Sequence, residues 1–258
     1  MFKTFTDRIR RSFSDAADQY DILTSLHKEI GRELVKKNVK LSAATILDVG
    51  CGTGYVANKA KFFFPESRII GVDLAPGMIA KAKEMHEGIA IEWICANAAK
   101  LPLKDGDVDL VLSNLAYQWA EDLQGAFAEA ARTMKSDGTL NITLFGERTC
   151  QELCASLVKA DKNIILRSLP SVQIVEQALR FAGFKDINVD FELIKVEFKD
   201  VKDLLTWLKS IGANQLSEVP VFLGKNTFST LQEYYRAQFP YNEGICASFE
   251  VIWAYAKR

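Results

Sequence analysis

Residues 46–55 read ILDVGCGTGY, an apolar strand running directly into Gly50, Gly52 and Gly54. Glycine has no Cβ, so such a backbone turns tightly and lets a ligand lie against it. A strand that ends this way and reopens as a helix begins a βαβ unit, which requires parallel neighbours. The sequence that follows supplies them. The helix after the glycines runs through about Phe63, and SRIIGVD (67–73) is a second strand. PGMIAKAKEMHE is a second helix with Pro76 near its start. IAIEWI is a third strand and VDLVLSN a fourth, followed by a helix near Leu123–Met134. SDG then turns into TLNITLF, a fifth strand. This alternation over residues 45–146 predicts an α/β, Rossmann-like sheet with helices on both faces.

The flanks read differently. AADQYDILTSLHKEIGRELVKK places Ile22, Leu23, Leu26, Ile30 and Leu34 on one helical stripe, so residues 1–40 are expected to form a helical cap. Beyond the fifth strand, VQIVEQALRFAGF is an amphipathic helix closed by Gly183, and INVDFELIKVEF and ASFEVIWAYAKR are strands. Between those strands lie DVKDLLTWLKSIGANQL and FSTLQEYYRAQF, two helices that plain alternation does not require. Residues 199–240 are therefore expected to be an insertion over one end of the sheet, within a single domain spanning 1–258.

With a formal net charge of -1, the chain gives no electrostatic reason to expect nucleic acid. No apolar stretch reaches membrane-span length, since Pro65 halts Phe62, Phe63 and Phe64. The first residues are too polar for a secretory signal. Cys51, Cys95, Cys150, Cys154 and Cys246 are odd in number and irregular in spacing, and His27 and His86 lie far from them. Free thiols in a reducing cytoplasm are expected, with no metal site and no membrane.

Three ligands compete for the glycine loop. A triphosphate would need GK[ST] after the glycines, and none is present. A dinucleotide fingerprint needs its third glycine where Tyr55 stands, and Asp48 would repel a pyrophosphate. The same carboxylate suits the ammonium and sulfonium of S-adenosylmethionine. Asp73, nineteen residues after Gly54, can accept hydrogen bonds from both ribose hydroxyls. Alone it would read as a turn or capping residue; paired with the loop, ribose binding is the better reading. Leu74 and Met78 then offer apolar surface to adenine, although core packing is an equal reading for Met78.

DVGCGTGY, GVDLAPGMI and ANAAKLPLKDGDVDLVLSNLAYQW together resemble a class I methyltransferase that uses S-adenosylmethionine and releases S-adenosylhomocysteine. The resemblance implies a mostly parallel sheet whose last strand is antiparallel. It also implies adenine contacts at Asn97, where the family commonly has aspartate, and at the Ala98 backbone. Cys51 would contribute a small side chain and backbone contacts, and Asn114 would touch the methionine end. The [DN]-P-P-[YF] pattern of many nitrogen methyltransferases is missing at 114–117.

SNLAYQW (113–119), SFSDAADQYD (12–21) and DLLTWLKSIGANQL (203–216) further resemble the malonyl-acyl carrier protein O-methyltransferases of biotin synthesis. That family methylates the free carboxylate of a malonyl thioester, on acyl carrier protein or coenzyme A. A carboxylate, with a pKa of about 4, is ionised at neutral pH and needs no general base. The resemblance implies that Tyr20 folds over the methionine part of the cofactor, or else is a buried helix tyrosine. It places Tyr117, Gln118 and Trp119 at the acceptor pocket, with core packing open for Trp119. Arg148, just after the fifth strand, is expected to grip the malonyl carboxylate bidentately, against the plainer reading of a solvated loop arginine. Lys199, Lys202 and Lys209 stand among Asp200 and Asp203, so no docking face for the carrier is legible. The alternatives are another small carboxylate or quinone-like acceptor, a non-catalytic S-adenosylmethionine-binding protein, and a nicotinamide dehydrogenase.

Overall fold

Thr45–Val49 forms β1, buried along its whole length, as an apolar strand covered on both faces must be. In the computed structural model, which describes residues 4–161, 167–213 and 224–258, the strand lies at the centre of one sheet. Its parallel neighbours are β2 (Arg68–Asp73) and β4 (Val108–Asn114). β3 (Ile91–Cys95) flanks β2, and β5 (Met134–Phe145) flanks β4, both parallel. β8 (Gly244–Lys257) runs antiparallel between β5 and β6 (Lys185–Phe198), and the short β7 (Pro240–Tyr241) pairs with β8. The order is β3-β2-β1-β4-β5-β8-β6. Strand order reverses between β1 and β4, and a crevice opens there at the carboxyl ends of the strands.

Strand alternation sends Ile46 and Leu47 to opposite faces. Ile46 packs with Leu34, Val56 and Leu112 under α2 (Ser25–Lys36) and α3 (Tyr55–Phe63). Leu47 packs with Phe127 and Leu179 under α5 (Leu123–Thr133) and α7 (Val172–Phe181). A further cluster joins α6 (Gln151–Ala160), α8 (Val201–Ser210) and α9 (Lys225–Gln238) to β8, around the buried Tyr235 and Phe249.

Two expectations need correction. The stripe from Ile22 to Leu34 is not one helix: α1 (Phe5–Leu23) stops, Thr24 leaves helical geometry at φ -109° and ψ 41°, and α2 begins. Ile22 is consequently 82% exposed. The polar N-terminal stretch is itself the first part of α1, begun by a capping box between Thr4 and Asp7. SDG is not a turn before the fifth strand but lies inside β5. There the register jumps from Val108–Met134 to Leu110–Thr139, a bulge in the longer strand. Of the expected cap and insertion, residues 1–3 and 214–223 lie outside the described residues, including the end of the DLLTWLKSIGANQL stretch.

Candidate active site

The glycine loop closes on β2: the Gly50 and Cys51 amides both donate to Val72 O, at 2.7 and 3.0 Å. Gly50 has φ +72°, and a Cβ there would collide with the Ala116 side chain, so the turn admits no larger residue. Gly54 (φ +90°) is the residue before α3, and a Cβ there would strike Trp93 and His86. It faces neither of the two cavities beside the loop and serves packing behind it.

The larger cavity, about 300 Å³, opens at the strand ends above Gly50 and Gly52. That is the lower range of small-molecule sites. Asp73 stands in its wall, with Oδ2 accepting from Gly52 N–H at 2.9 Å and Oδ1 from Ala75 N–H at 2.8 Å. These amides fix the carboxylate and leave each oxygen a lone pair, while burial pushes its pKa up. Leu74 and Ala98 form adjoining wall. Met78 also touches the cavity but is 1% exposed and packs with Ala17 and Ala75, so it is core as well. Asn97 lines the cavity with its Oδ1 already accepting from Ala99 N–H at 2.9 Å. Asn114 faces both cavities as a brace: Nδ2 donates to His27 O, and Oδ1 accepts from the Thr143 hydroxyl, each at 2.9 Å.

α1 supplies the roof. Phe13 meets Trp119 edge to face at 5.6 Å and Tyr20 at 6.3 Å. Tyr20 lies over Gly52, and burial, with Asp73 and Asp21 near, pushes its phenol well above the usual range. Thr6 holds the far end of α1 through its amide and hydroxyl, both donating to Glu121 at 2.8 Å. The signal for this roof was the spacing of Ile9, Phe13, Ala16, Ala17 and Tyr20, which places them on one helix face. Arg10, on the same helix, is the cation in the cavity wall among the described residues, and sequence reasoning missed it.

The stretch Tyr117–Trp119, expected at the acceptor pocket, divides. Trp119 is in the wall, and Tyr117 touches it while burying its ring against Phe127 at 4.9 Å. Gln118 turns away: it is 3% exposed, donates to Leu115 O at 2.7 Å and lines neither cavity. The short 3-10 turn Tyr117–Trp119 sends successive side chains in different directions, which excludes Gln118 from the pocket. Arg148 is also elsewhere. Its Nε and Nη2 donate to Glu250 Oε1 at 2.8 and 2.6 Å, and its guanidinium lies 4.4 Å from the Phe191 ring centre. An arginine so held by β8 and β6 is not in the cavity wall.

Below the loop sits the smaller cavity, about 40 Å³, reached by Asp48, Cys51 and His27. Asp48 is fully buried with neither oxygen hydrogen-bonded. Burial, with Asp73 adding to it, outweighs the nearby Ala57 amide and pushes its carboxyl up to about 8. Burial likewise holds the Cys51 thiol well above its usual range.

Comparison with known proteins agrees with this geometry. The family described as methyltransferase domain matches residues 47–142. A malonyl-[acyl-carrier protein] O-methyltransferase of Hahella chejuensis is 34% identical over 95% of this chain and 88% of its own length. The biotin biosynthesis bifunctional protein BioHC of Teredinibacter turnerae is 30% identical over 97% of this chain and 46% of its own length. Among solved structures, Haemonchus contortus phosphoethanolamine N-methyltransferase 2 in complex with S-adenosyl-L-methionine shares the fold at TM-score 0.63 and 20% identity, over 99% of this chain and 60% of that one. The sheet, the loop at its switch point and a likeness that extends through both flanks lead to one assignment: the chain belongs to the malonyl-[acyl-carrier protein] O-methyltransferase family of class I methyltransferases.

Proposed function

We propose that this protein transfers the methyl group of S-adenosylmethionine to the free carboxylate of a malonyl thioester on acyl carrier protein, giving the methyl ester that starts pimeloyl synthesis for biotin. The observation that carries this reading is the likeness over 95% of the chain, because the sheet alone is shared by methyltransferases of many acceptors. The residues present suit the cofactor. Asp73 keeps lone pairs for two ribose hydroxyls, Leu74 and Ala98 offer faces to adenine, and Asp48 is a buried carboxyl with no partner. When bound, the cofactor supplies a methyl group on a positively charged sulfur.

The chain's own part is to bind, orient and exclude water. Phe13, Tyr20 and Trp119 form an aromatic roof that keeps solvent from a nucleophile that hydration would blunt. Ordering two reactants in line can supply roughly 7–11 kcal/mol. The acidic wall residues are otherwise engaged: Asp73 by two amides, Glu121 by Thr6, and Asp122 by Gly125 N–H at the start of α5. A carboxylate acceptor asks none of them to take a proton. Its charge is drawn to the mouth by Arg10, in the role expected of Arg148.

We read α1 and α2 as a cap and α8 with α9 as an insertion on the acceptor side, within a single domain. The Trp207 indole of α8 donates to Leu23 O at 2.8 Å, tying the two together beside His27. All five cysteines are free, and no helix among the described residues is long and apolar enough to cross a membrane. We place the reaction in the cytoplasm.

The test offers S-adenosylmethionine with malonyl-acyl carrier protein, malonyl-coenzyme A and free malonate in parallel, with intact mass reporting methyl gain. Gain on the thioesters, fastest on the carrier, is the expected result. Gain only on the free acid would move the protein to another small carboxylate.

A further inference from the structure

The two halves of α1 differ in charge. Arg8, Arg10 and Arg11 stand in the first half, where Asp7 is held in the capping box. Asp15, Asp18 and Asp21 stand in the second half. Two of these acids are paired within the chain, Asp18 with Lys81 at 3.6 Å and Asp21 with Lys28 at 2.8 Å. The arginines are not. Elsewhere Arg32, Arg68, Arg132, Arg148 and Arg180 each hold a carboxylate. Among the described residues Arg8, Arg10 and Arg11 make no ion pair, and Arg10 and Arg11 are exposed. A chain of net charge -1 has thus gathered uncompensated positive charge at one place.

That place is the rim of the larger cavity. The Ser14 hydroxyl accepts from Gly77 N–H at 3.3 Å, in the first turn of α4 (Pro76–Met85). The residues before Ser14 therefore stand above the carboxyl ends of the strands, with Thr6 held by Glu121 and Arg10 in the cavity wall. α8 closes against the same half-helix: a Cβ at Gly212, just past its end, would lie 3.1 Å from the Phe13 ring and from Ser12 O. Lys209, exposed in the last turn of α8, adds its charge within one turn of this contact. An acyl group delivered on a carrier reaches the cavity at the end of an arm, so the carrier itself must rest on this rim. Unpaired arginines there ask for an acidic surface, and acyl carrier proteins are acidic. Nucleic acid would ask for a continuous basic track, which Glu121 and Asp122 in the same wall interrupt.

We propose that Arg8 and Arg11, with Lys209 beside them, form the docking surface for the acyl carrier protein, holding its acidic face while Arg10 meets the malonyl carboxylate at the mouth. The proposal rests on the reading that the malonyl thioester is borne by that carrier. Rim charges of this kind act on encounter and choice of partner more than on the chemical step.

The test compares wild type with Arg8→Glu/Arg11→Glu and with Lys40→Glu/Lys185→Glu. The two lysines lie at the opposite end of the sheet, before β1 and at the start of β6. Steady-state methylation is followed on malonyl-acyl carrier protein and on malonyl-pantetheine, which has the same thioester without the protein. Arg8→Glu/Arg11→Glu should raise KM for the carrier about tenfold or more at low salt, with kcat within about twofold. The gap should narrow to about threefold in about 0.5 M salt. Its kcat/KM for malonyl-pantetheine and its affinity for S-adenosylhomocysteine should stay within about twofold of wild type, which also shows that the variant is folded. Lys40→Glu/Lys185→Glu, with the same change in net charge, should match wild type on the carrier. An unaltered carrier KM in Arg8→Glu/Arg11→Glu would overturn the proposal. So would an equal rise in Lys40→Glu/Lys185→Glu, since net charge alone would then account for it, or an equal loss on malonyl-pantetheine, since the arginines would then act on the cavity. Wild type that methylates neither thioester would overturn the reading of the function, and this proposal with it.

Discussion

Arg148 and Glu250 form a closed unit: two guanidinium nitrogens of Arg148 donate to one carboxylate oxygen of Glu250, and the Arg148 amide donates to the other at 3.0 Å. The Glu250 side chain is 4% exposed, so removing its partner strands a buried carboxylate. Arg148→Met should lower unfolding free energy by about 1–3 kcal/mol, below the cost of a fully buried pair because Arg148 is 41% exposed. Denaturant unfolding checks the loss, and kcat/KM for the malonyl thioester should stay within a few-fold. Unchanged stability with collapsed kcat/KM would return Arg148 to the acceptor site.

Arg10 carries the opposite expectation. Arg10→Gln should raise KM for the malonyl thioester on the order of tenfold, about 1.4 kcal/mol, with kcat nearly kept. Steady-state kinetics at two ionic strengths checks it, since an attraction between opposite charges at an open mouth weakens with salt. An unaltered KM would remove Arg10 from acceptor recognition.

Asp48 makes the unliganded protein sensitive to pH. Its folded pKa, about 8, lies above the unfolded value of 3.8. The folded state therefore holds the extra proton between these values, and stability falls as pH rises through that window. The cost at neutral pH is on the order of a few kcal/mol, and it is absent below the unfolded pKa. Asp73, also raised by burial, adds in the same direction. Asp48→Asn should raise the melting temperature at pH 7.5, flatten its decline from pH 5 to 8, and weaken S-adenosylhomocysteine. A melting temperature below wild type at pH 7.5 would contradict this.

Gly50 and Ala116 should couple. Gly50→Ala forces a positive φ on alanine and drives its Cβ into Ala116, so loss of cofactor binding and a drop in stability are expected. Adding Ala116→Gly removes the collision and leaves the backbone cost of about 1 kcal/mol. Calorimetry on the pair checks it; additive losses would mean that the contact is not what excludes alanine.

What the sequence made legible was whatever local period and turn chemistry decide. Ile46 and Leu47, Gly50, and Asp73 at the end of its strand stand where the strand–glycine–helix pattern requires. Contacts made far along the chain were hidden. Arg148 was placed correctly after the fifth strand, but its partner Glu250 lies 102 residues on, and nothing local announces that pairing. Gln118 looked like its neighbours until a 3-10 turn separated them. The break at Thr24 was hidden by a stripe that continues across it, although the Thr24 hydroxyl bonds back to Tyr20 O at 2.7 Å. His27 was not read as a neighbour of Asp48 because the two reach the same cavity from different elements, α2 and β1.

The most direct test of the central claim is where the methyl group goes. Malonyl-acyl carrier protein would be incubated with the enzyme and S-adenosylmethionine carrying a deuterated methyl, and the released acyl group examined by mass spectrometry before and after mild ester hydrolysis. The expected result is one labelled methyl on the distal carboxylate oxygen, lost on hydrolysis with the malonyl carbon chain unlabelled. Label retained on carbon after hydrolysis, or no label on the acyl group while the cofactor is bound, would contradict carboxylate methylation.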